Sequence, residues 1–192
     1  MSTTFDTDLV VVGGGIMGCA AALRAAEGGM APLILEQGEI GGGASGVNAG
    51  TLSLQIKRVR LMPYALRGRE LWEEAGEAVG YHRSGGFTLA FTEREEQLLI
   101  ERSALKREAG APIEIVSPNR VAEAEPGLTR RVRLGAWCAL DGYANSSLTG
   151  TYYRARLGAA GIPYRQGCRV TAIEPRSRGV RRSVRSSRPP RN

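Results

Sequence analysis

The stretch VVVGGGIMGCAAA, from Val10 to Ala22, constrains this chain more than any other part of it. Leu9 to Val12 are apolar and mostly β-branched, which reads as a buried strand. After the glycines, small helix-forming residues continue to about Glu27 and stop at Gly28-Gly29. Pro32 then introduces a second apolar run, Leu33-Ile34-Leu35, closed by Glu36. Strand, turn, helix and strand in so short a span make a βαβ unit. Its crossover has room for one helix, so the two strands must be parallel.

Gly13, Gly15 and Gly18 satisfy the spacing G-x-G-x-x-G. Each has a mechanical role: Gly13 permits the tight turn out of the strand, Gly15 lets a pyrophosphate approach the backbone, and Gly18 lets helix and strand pack closely. The helix N-terminus then offers free N–H groups and a positive dipole end to phosphates. Glu36 lies 23 residues after Gly13, at the tip of the second strand, where a carboxylate accepts hydrogen bonds from a ribose. The pattern indicates a dinucleotide cradle; the competing reading is a βαβ unit with no ligand. The fingerprint does not separate NAD from FAD. A second glycine-rich stretch, GEIGGGASGVNAGTL from Gly38 to Leu52, favours the larger ligand. Its small residues can lie flat against a ligand and donate backbone N–H groups.

Charge is unevenly placed. Of the 26 basic side chains, seven arginines lie in residues 176–192, which leaves 19 to balance the chain's 19 acids. The body is therefore neutral, and no nucleic-acid partner is inferred for it. Cys19, Cys138 and Cys168 are far apart and form no CxxC pair, so neither a disulfide framework nor a zinc site is expected. Buried reduced thiols in a cytoplasmic protein are the expectation. His82 is the single histidine, and no nucleophile motif accompanies it. No catalytic residue and no metal ligand is assigned. Asp6 and Asp8 precede the first apolar run, contrary to a signal peptide, and no stretch approaches the ~20 apolar residues of a transmembrane segment.

Further along, helical spacing runs from near Arg60 to Ala78, and GGFTLAFT (85–92) alternates like a strand. Thr92 and Glu95 form a capping box for the next helix. Ile113–Val116 reads as a strand, and Ser117-Pro118 as the N-cap and N1 of a short helix. LGAWCAL (134–140) and CRVTAIE (168–174) read as strands. Asn145 or Ser146 is expected to cap a helix ending at Gly158 or Gly161.

With these pieces in order, the sequence resembles the FAD-dependent oxidoreductases of the D-amino-acid oxidase, glycine oxidase and sarcosine oxidase family. VVVGGGIMG, LILEQG, GGGASGVNAGTL, GGFTLAFTEREEQLL, EAEPGL, DGYANSSLTG and GCRVTAIE carry the likeness over most of residues 7–175. The resemblance implies an α/β protein: a Rossmann-like FAD-binding βαβ domain with part of a second, α+β substrate domain. The expected division is 1–80 and 143–175 for FAD, 81–142 for the partial substrate domain, and 176–192 as a disordered basic tail.

The resemblance also implies roles. Gly13, Gly15, Ile16, Met17 and Gly18 would hold the pyrophosphate. Glu36 would hold the adenosine ribose, with Gln37 beside it. Ala44, Ser45, Ala49, Gly50 and Thr51 would line the flavin and its phosphates, with Asn48 in the same loop, and the Val170 backbone would pair with adenine. Enzymes of this kind oxidise the C–N bond of an amino acid or related amine by hydride transfer to the flavin, and the imine then hydrolyses. The family's later strands and its last glycine segment do not follow GCRVTAIE here. The expectation is a truncated or frameshifted chain whose strands at 85–92 and 134–140 lack the later strands they pair with. The alternative is a non-catalytic fragment or subunit that needs a C-terminal partner chain. The arginine-rich end is read as frameshifted sequence, an idle solvated tail, or an arm for a polyanion. Its removal is expected to change neither folding nor flavin affinity.

Overall fold

The computed structural model describes residues 7–175 and 180–186. It forms two compact units, Met1–Ala49 with Ser146–Asn192, and Gly50–Asn145. The chain therefore leaves the first unit at 49/50 rather than at 80/81, and returns at 145/146. Residues 50–80, expected with the FAD segment, pack with the second unit.

In the first unit, β1 (Leu9–Val12), α1 (Ile16–Glu27) and β2 (Pro32–Leu35) form the βαβ element. β1 runs parallel to β2, with Leu9 opposite Pro32 and Val12 opposite Leu35. All four residues of β2 are buried because it is the central strand. β1, read as buried from its sequence, is only half-buried and Val12 is exposed: it forms the edge of this sheet among the described residues. Cys19, Ala22 and Leu23 on one face of α1 pack with Ile34, Ile40, Leu157 and Ile162. α1 ends as its sequence requires, with Gly28 as C-cap and Gly29 at φ +85°.

The returning segment supplies the rest of this unit. The second unit's strands take β3 to β7, so the next here is β8 (Tyr164–Arg165), preceded by a helix, Thr149–Ala159. β8 adds parallel to β2 and completes a three-stranded sheet. The strand expected at Arg169–Glu174, β9 (Cys168–Pro175), is not in that sheet. It pairs antiparallel with β10 (Val180–Ser186), with a register shift between Ser183 and Val184. This corrects the expectation of a disordered tail for 180–186. A ladder uses main-chain N–H and C=O groups, so an arginine-rich strand without apolar periodicity can still form one. Residues 176–179 and 187–192 lie outside the described residues. A 3₁₀ turn, Ser146–Leu148, precedes the helix, whose own N-cap Leu148 makes no side-chain bond, and the Ser146 hydroxyl donates to Asn48 O at 2.7 Å.

The second unit holds β3 (Thr51–Leu52), α2 (Met62–Ala75), β4 (Gly86–Ala90), α3 (Glu93–Glu108), β5 (Ile113–Val116), α4 (Pro118–Ala124), β6 (Leu134–Cys138) and β7 (Gly142–Tyr143). The remaining helix, Thr149–Ala159, is α5. β4 and β6, expected to lack the family's later strands, pair antiparallel with each other along their full length, and β5 flanks β6 on the other side. Gly86 opposite Cys138 and Ala90 opposite Leu134 fix the register. The core under α2 and α3 consists of Leu54, Met62, Ala111, Ile113, Ala136 and Cys138. The Thr92/Glu95 capping box forms in full, and Ser117 Oγ accepts from Arg120 N.

Candidate functional site

The cradle is built by the turn between β1 and α1. Gly13 sits at φ +105°, a conformation that side-chain-bearing residues rarely adopt. Its N–H donates to Leu35 O at 2.8 Å, which ties the turn to the central strand. A Cβ on Gly18 would run into the Gly13 carbonyl oxygen and reach 3.2 Å from Val11 Cγ1, so this glycine sets the closeness of helix and turn. Gly15 is different. A Cβ there would meet only Ser45 Oγ, at 3.1 Å, so packing within the protein leaves this position nearly free. The space in front of Gly15 is open for a ligand at the N-terminus of α1.

Gly15 is also the N-cap, in an extended conformation and with no side chain to cap the helix. Ser45 fills that role from the second glycine stretch: Ile16 N–H donates to Ser45 Oγ at 3.0 Å. Helix geometry leaves the following amides, of Met17 and Gly18, without intrahelical acceptors. The Met17 side chain is exposed. Asn48 Nδ2 donates to Ala44 O at 2.9 Å and Ser45 O at 3.1 Å, closing the loop on itself.

Glu36 is anchored by its backbone and aimed by its side chain. Its N–H donates to Arg165 O and its C=O accepts from Cys168 N, both at 2.8 Å. Oε2 accepts from Gly14 N and Oε1 from Gly38 N, each at 2.6 Å. A carboxylate offers about four lone-pair sites, so this pairing leaves acceptor capacity for the hydroxyls of a ribose. The negative charge also stands near the positive end of α1, a favourable placement. Beneath it, burial and the Glu36 charge push the Cys19 thiol up to about 11. Cys19 is thus a protonated core residue whose Sγ donates to Gly14 O at 3.4 Å.

The structure brings Gly13, Gly15, Ile16, Gly18, Glu36 and Ser45 together at one end of the first unit. Gln37, Ala44 and Ala49 are exposed beside or beyond them. Gly50 and Thr51 belong to the second unit, where Gly50 has φ +69° and Thr51 pairs with Tyr143 in β3–β7. Val170 lies opposite Val184 in the antiparallel ladder. His82 is exposed, bridges to Tyr143 and packs on its ring at 5.3 Å.

Three contributors escape the sequence pattern. Gly14 leaves no room for a side chain against Ile40 Cδ1 and Glu36 Cβ. Ile40 N–H finds its acceptor in the return segment, donating to Gln166 Oε1 at 2.8 Å. Gly41, at φ +74°, packs backbone to backbone on Gly150, which allows the second glycine stretch to lie on the N-terminus of α5. The signal for this last contact is a glycine in each of two distant segments, and nothing local links them.

The residues fit the pyrophosphate and ribose of a dinucleotide: a turn only glycine permits, an open approach at Gly15, helix amides and an acceptor at Glu36. The family profile described as "FAD dependent oxidoreductase" matches residues 8–189, a span that includes the arginine-rich segment. An opine oxidase subunit of Rhizobium meliloti is 28% identical over 190 residues, covering 91% of this chain and 51% of that protein. Glycine oxidase of Geobacillus kaustophilus (strain HTA426) is 32% identical over 144 residues, covering 69% of this chain and 38% of that protein. The crystal structure of glycine oxidase from Geobacillus kaustophilus superposes with a TM-score of 0.82 at 27% identity, covering 94% of this chain and 52% of that one. The chain thus spans about half or less of the length of these relatives. With the open glycine cradle, the acidic residue at the end of β2 and a profile match over nearly its whole length, the chain belongs to the family of FAD-dependent oxidoreductases.

Proposed function

We propose that this chain holds FAD and takes part in oxidising the C–N bond of a small amine or amino acid. The observation that carries the reading is the open approach at Gly15, in front of α1 and beside the Glu36 carboxylate. Gly13, Gly15, Ile16, Met17 and Gly18 would hold the pyrophosphate, and Glu36 the adenosine ribose, with Gln37 beside it. The loop of Ala44, Ser45, Asn48, Ala49, Gly50 and Thr51 would follow the rest of the cofactor, and the Val170 backbone the adenine. FAD, when bound, supplies acceptance of a hydride from the carbon that bears nitrogen. The chain's own part is to bind and orient: Ser45 fixes the second glycine stretch to the helix end, and Glu36 selects for an unphosphorylated ribose. The names of its relatives, a glycine oxidase and a subunit of an opine oxidase, support an amine-bearing small molecule as substrate.

A second reading has the chain acting as one member of an assembly, with a partner chain completing the site. The relative named as a subunit favours it. Three free thiols fit a cytoplasmic location, and no helix among the described residues is long and apolar enough to cross a membrane.

The test is direct. The purified chain is denatured and the released chromophore identified, then apo protein is titrated with FAD, ADP and NADPH. FAD and ADP are expected to bind and NADPH to be rejected, because the Glu36 carboxylate repels a 2′-phosphate. Tight NADPH binding without flavin affinity overturns the cofactor assignment. Anaerobic bleaching of bound flavin by glycine or another amine, with the chain alone or with an added partner, separates the two readings.

A further inference from the structure

One surface segment of the second unit runs against the usual composition of a loop. Leu54 and Met62 are buried in the same core cluster, and Gln55 beside Leu54 is buried too. Between these anchors the six residues Ile56-Lys57-Arg58-Val59-Arg60-Leu61 are all exposed. Pro63 and Tyr64 carry the exposed surface onto the first turn of α2. The backbone turns twice here. Lys57 N–H donates to Leu54 O at 3.2 Å, and Leu61 N–H donates to Arg58 O at 2.9 Å, closing a 3₁₀ turn at Val59–Leu61.

A loop that faces only water is built largely from Gly, Pro, Asn, Asp and Ser. Residues 56–61 hold none of these: they are three aliphatic side chains and three cations. Tyr64 is 78% exposed, Ile56 70%, Leu61 42% and Val59 38%. Exposed hydrophobics scattered singly are ordinary, whereas four within nine residues make a patch. The charge is equally one-sided, since no acid occurs between Glu39 and Glu70. Arg67 and Arg69 pair with acids of α2. Lys57, Arg58 and Arg60 form no ion pair among the described residues.

Side chains as exposed as Ile56 and Tyr64 stand out from the surface rather than line a groove. A protein partner takes such anchors only through pockets cut to fit them. A lipid interface takes them without a preformed pocket, and cations beside aliphatic and tyrosine side chains match its anionic headgroups over acyl chains. We propose that residues 56–64 dock this protein on an anionic lipid bilayer, with Ile56, Leu61 and Tyr64 entering the boundary between headgroups and acyl chains and Lys57, Arg58 and Arg60 meeting the phosphates. So few side chains give a reversible, peripheral attachment. The patch lies wholly within the second unit and does not rest on the flavin reading.

The full chain is mixed with vesicles of phosphatidylcholine, alone or with about 30% phosphatidylglycerol, and bound protein is measured by flotation. Saturable binding to the anionic vesicles is expected, at least about tenfold tighter than to the neutral ones, and weaker as salt shortens the Debye length from about 10 Å toward about 3 Å. The arginine-rich end also attracts an anionic surface, so the deciding variant keeps every charge. Ile56→Ser, Leu61→Ser and Tyr64→Ser together remove exposed apolar surface alone. This variant is expected to lose at least about tenfold in vesicle affinity with its urea midpoint unchanged. In a separate chain, Tyr64→Trp is expected to add fluorescence that lipids brominated on their acyl chains quench, beyond the quenching seen in the parent. The proposal is overturned by an absence of saturable binding to the anionic vesicles, by equal affinity for the neutral ones, by affinity that the triple serine variant leaves unaltered, or by no added quenching with Tyr64→Trp. Binding of polyglutamate that the serine variant weakens, with no binding of vesicles, overturns it in favour of an acidic protein partner.

Discussion

At the scale of single residues, three glycines of one motif carry three separable duties. Gly15→Val adds a side chain where the protein itself offers only Ser45 Oγ at 3.1 Å, so folding should survive. The new methyls occupy pyrophosphate space, and FAD affinity is expected to fall by at least about 100-fold, some 3 kcal/mol. Gly18→Ala drives a methyl into the Gly13 carbonyl oxygen. It should lower stability by about 1–3 kcal/mol, seen as a reduced urea midpoint. A Gly15→Val chain that binds FAD normally would show that the turn is no cradle. The two buried thiols make a second test. Cys19 and Cys138 are each pushed by burial from about 9 to about 11, so the folded chain holds protons that the unfolded chain releases first. Their contribution to stability is complete below pH 9 and is lost as pH rises toward 11. Urea midpoints should therefore fall between about pH 9 and about pH 11, and the fall should shrink in a Cys19→Ala, Cys138→Ala chain. Gly13, Gly15, Gly18 and Glu36 were legible because the motif is local and its spacing is physical. Gly14, Ile40 and the Gly41–Gly150 contact were not, because what forbids a side chain there comes from elsewhere in the chain.

Among the elements, legibility follows length and punctuation. α3 announces its start through Thr92 and Glu95, and α4 through Ser117-Pro118, and both start there. Apolar runs of four or five residues mark β1, β2 and β6, and β5 is an apolar stretch broken by Glu114. β8, with two residues between Pro163 and Gln166, has no periodicity to read, yet it completes the parallel sheet. β10 was hidden for another reason: its partner is the main chain of β9, and side-chain patterning does not report main-chain pairing. The boundary expected at 80/81 came from the resemblance and not from any local signal, while residues 50–80 cluster with the second unit. The capping box makes an element-scale prediction. Thr92→Ala removes the acceptor for Glu95 N–H and should cost about 1 kcal/mol of stability. Equilibrium urea denaturation read by tryptophan fluorescence would measure it, since both tryptophans lie in the second unit. FAD affinity should not change, because the cradle lies in the other unit.

For the whole molecule, the first unit closes only when the chain returns. β8 flanks β2, Cys168 N–H reaches Glu36 O, Gln166 holds Ile40, and Ser146 holds the second glycine stretch. The sequence before Ala49 therefore specifies the cradle's chemistry, while residues from Ser146 onward hold it in place. This dependence separates two halves of one expectation about the arginine-rich end. No group of the cradle lies beyond Val170, so deleting residues 180–192 should leave FAD affinity within about twofold. Folding is a different matter. β10 covers β9 over seven residues, and its removal bares a row of main-chain donors and acceptors along Cys168–Pro175. An uncovered edge of that length is a template for pairing with another chain. The shortened chain is expected to bind FAD as the full chain does, yet to scatter light at lower temperature and lower concentration on warming. Adding FAD should delay that scattering in both chains, because ligand binding stabilises the folded form by mass action. Identical scattering curves for the two chains would show that the β9–β10 ladder contributes nothing to the fold. Loss of FAD binding on deletion would show that the ladder, through Cys168 and its hold on Glu36, reaches the cradle.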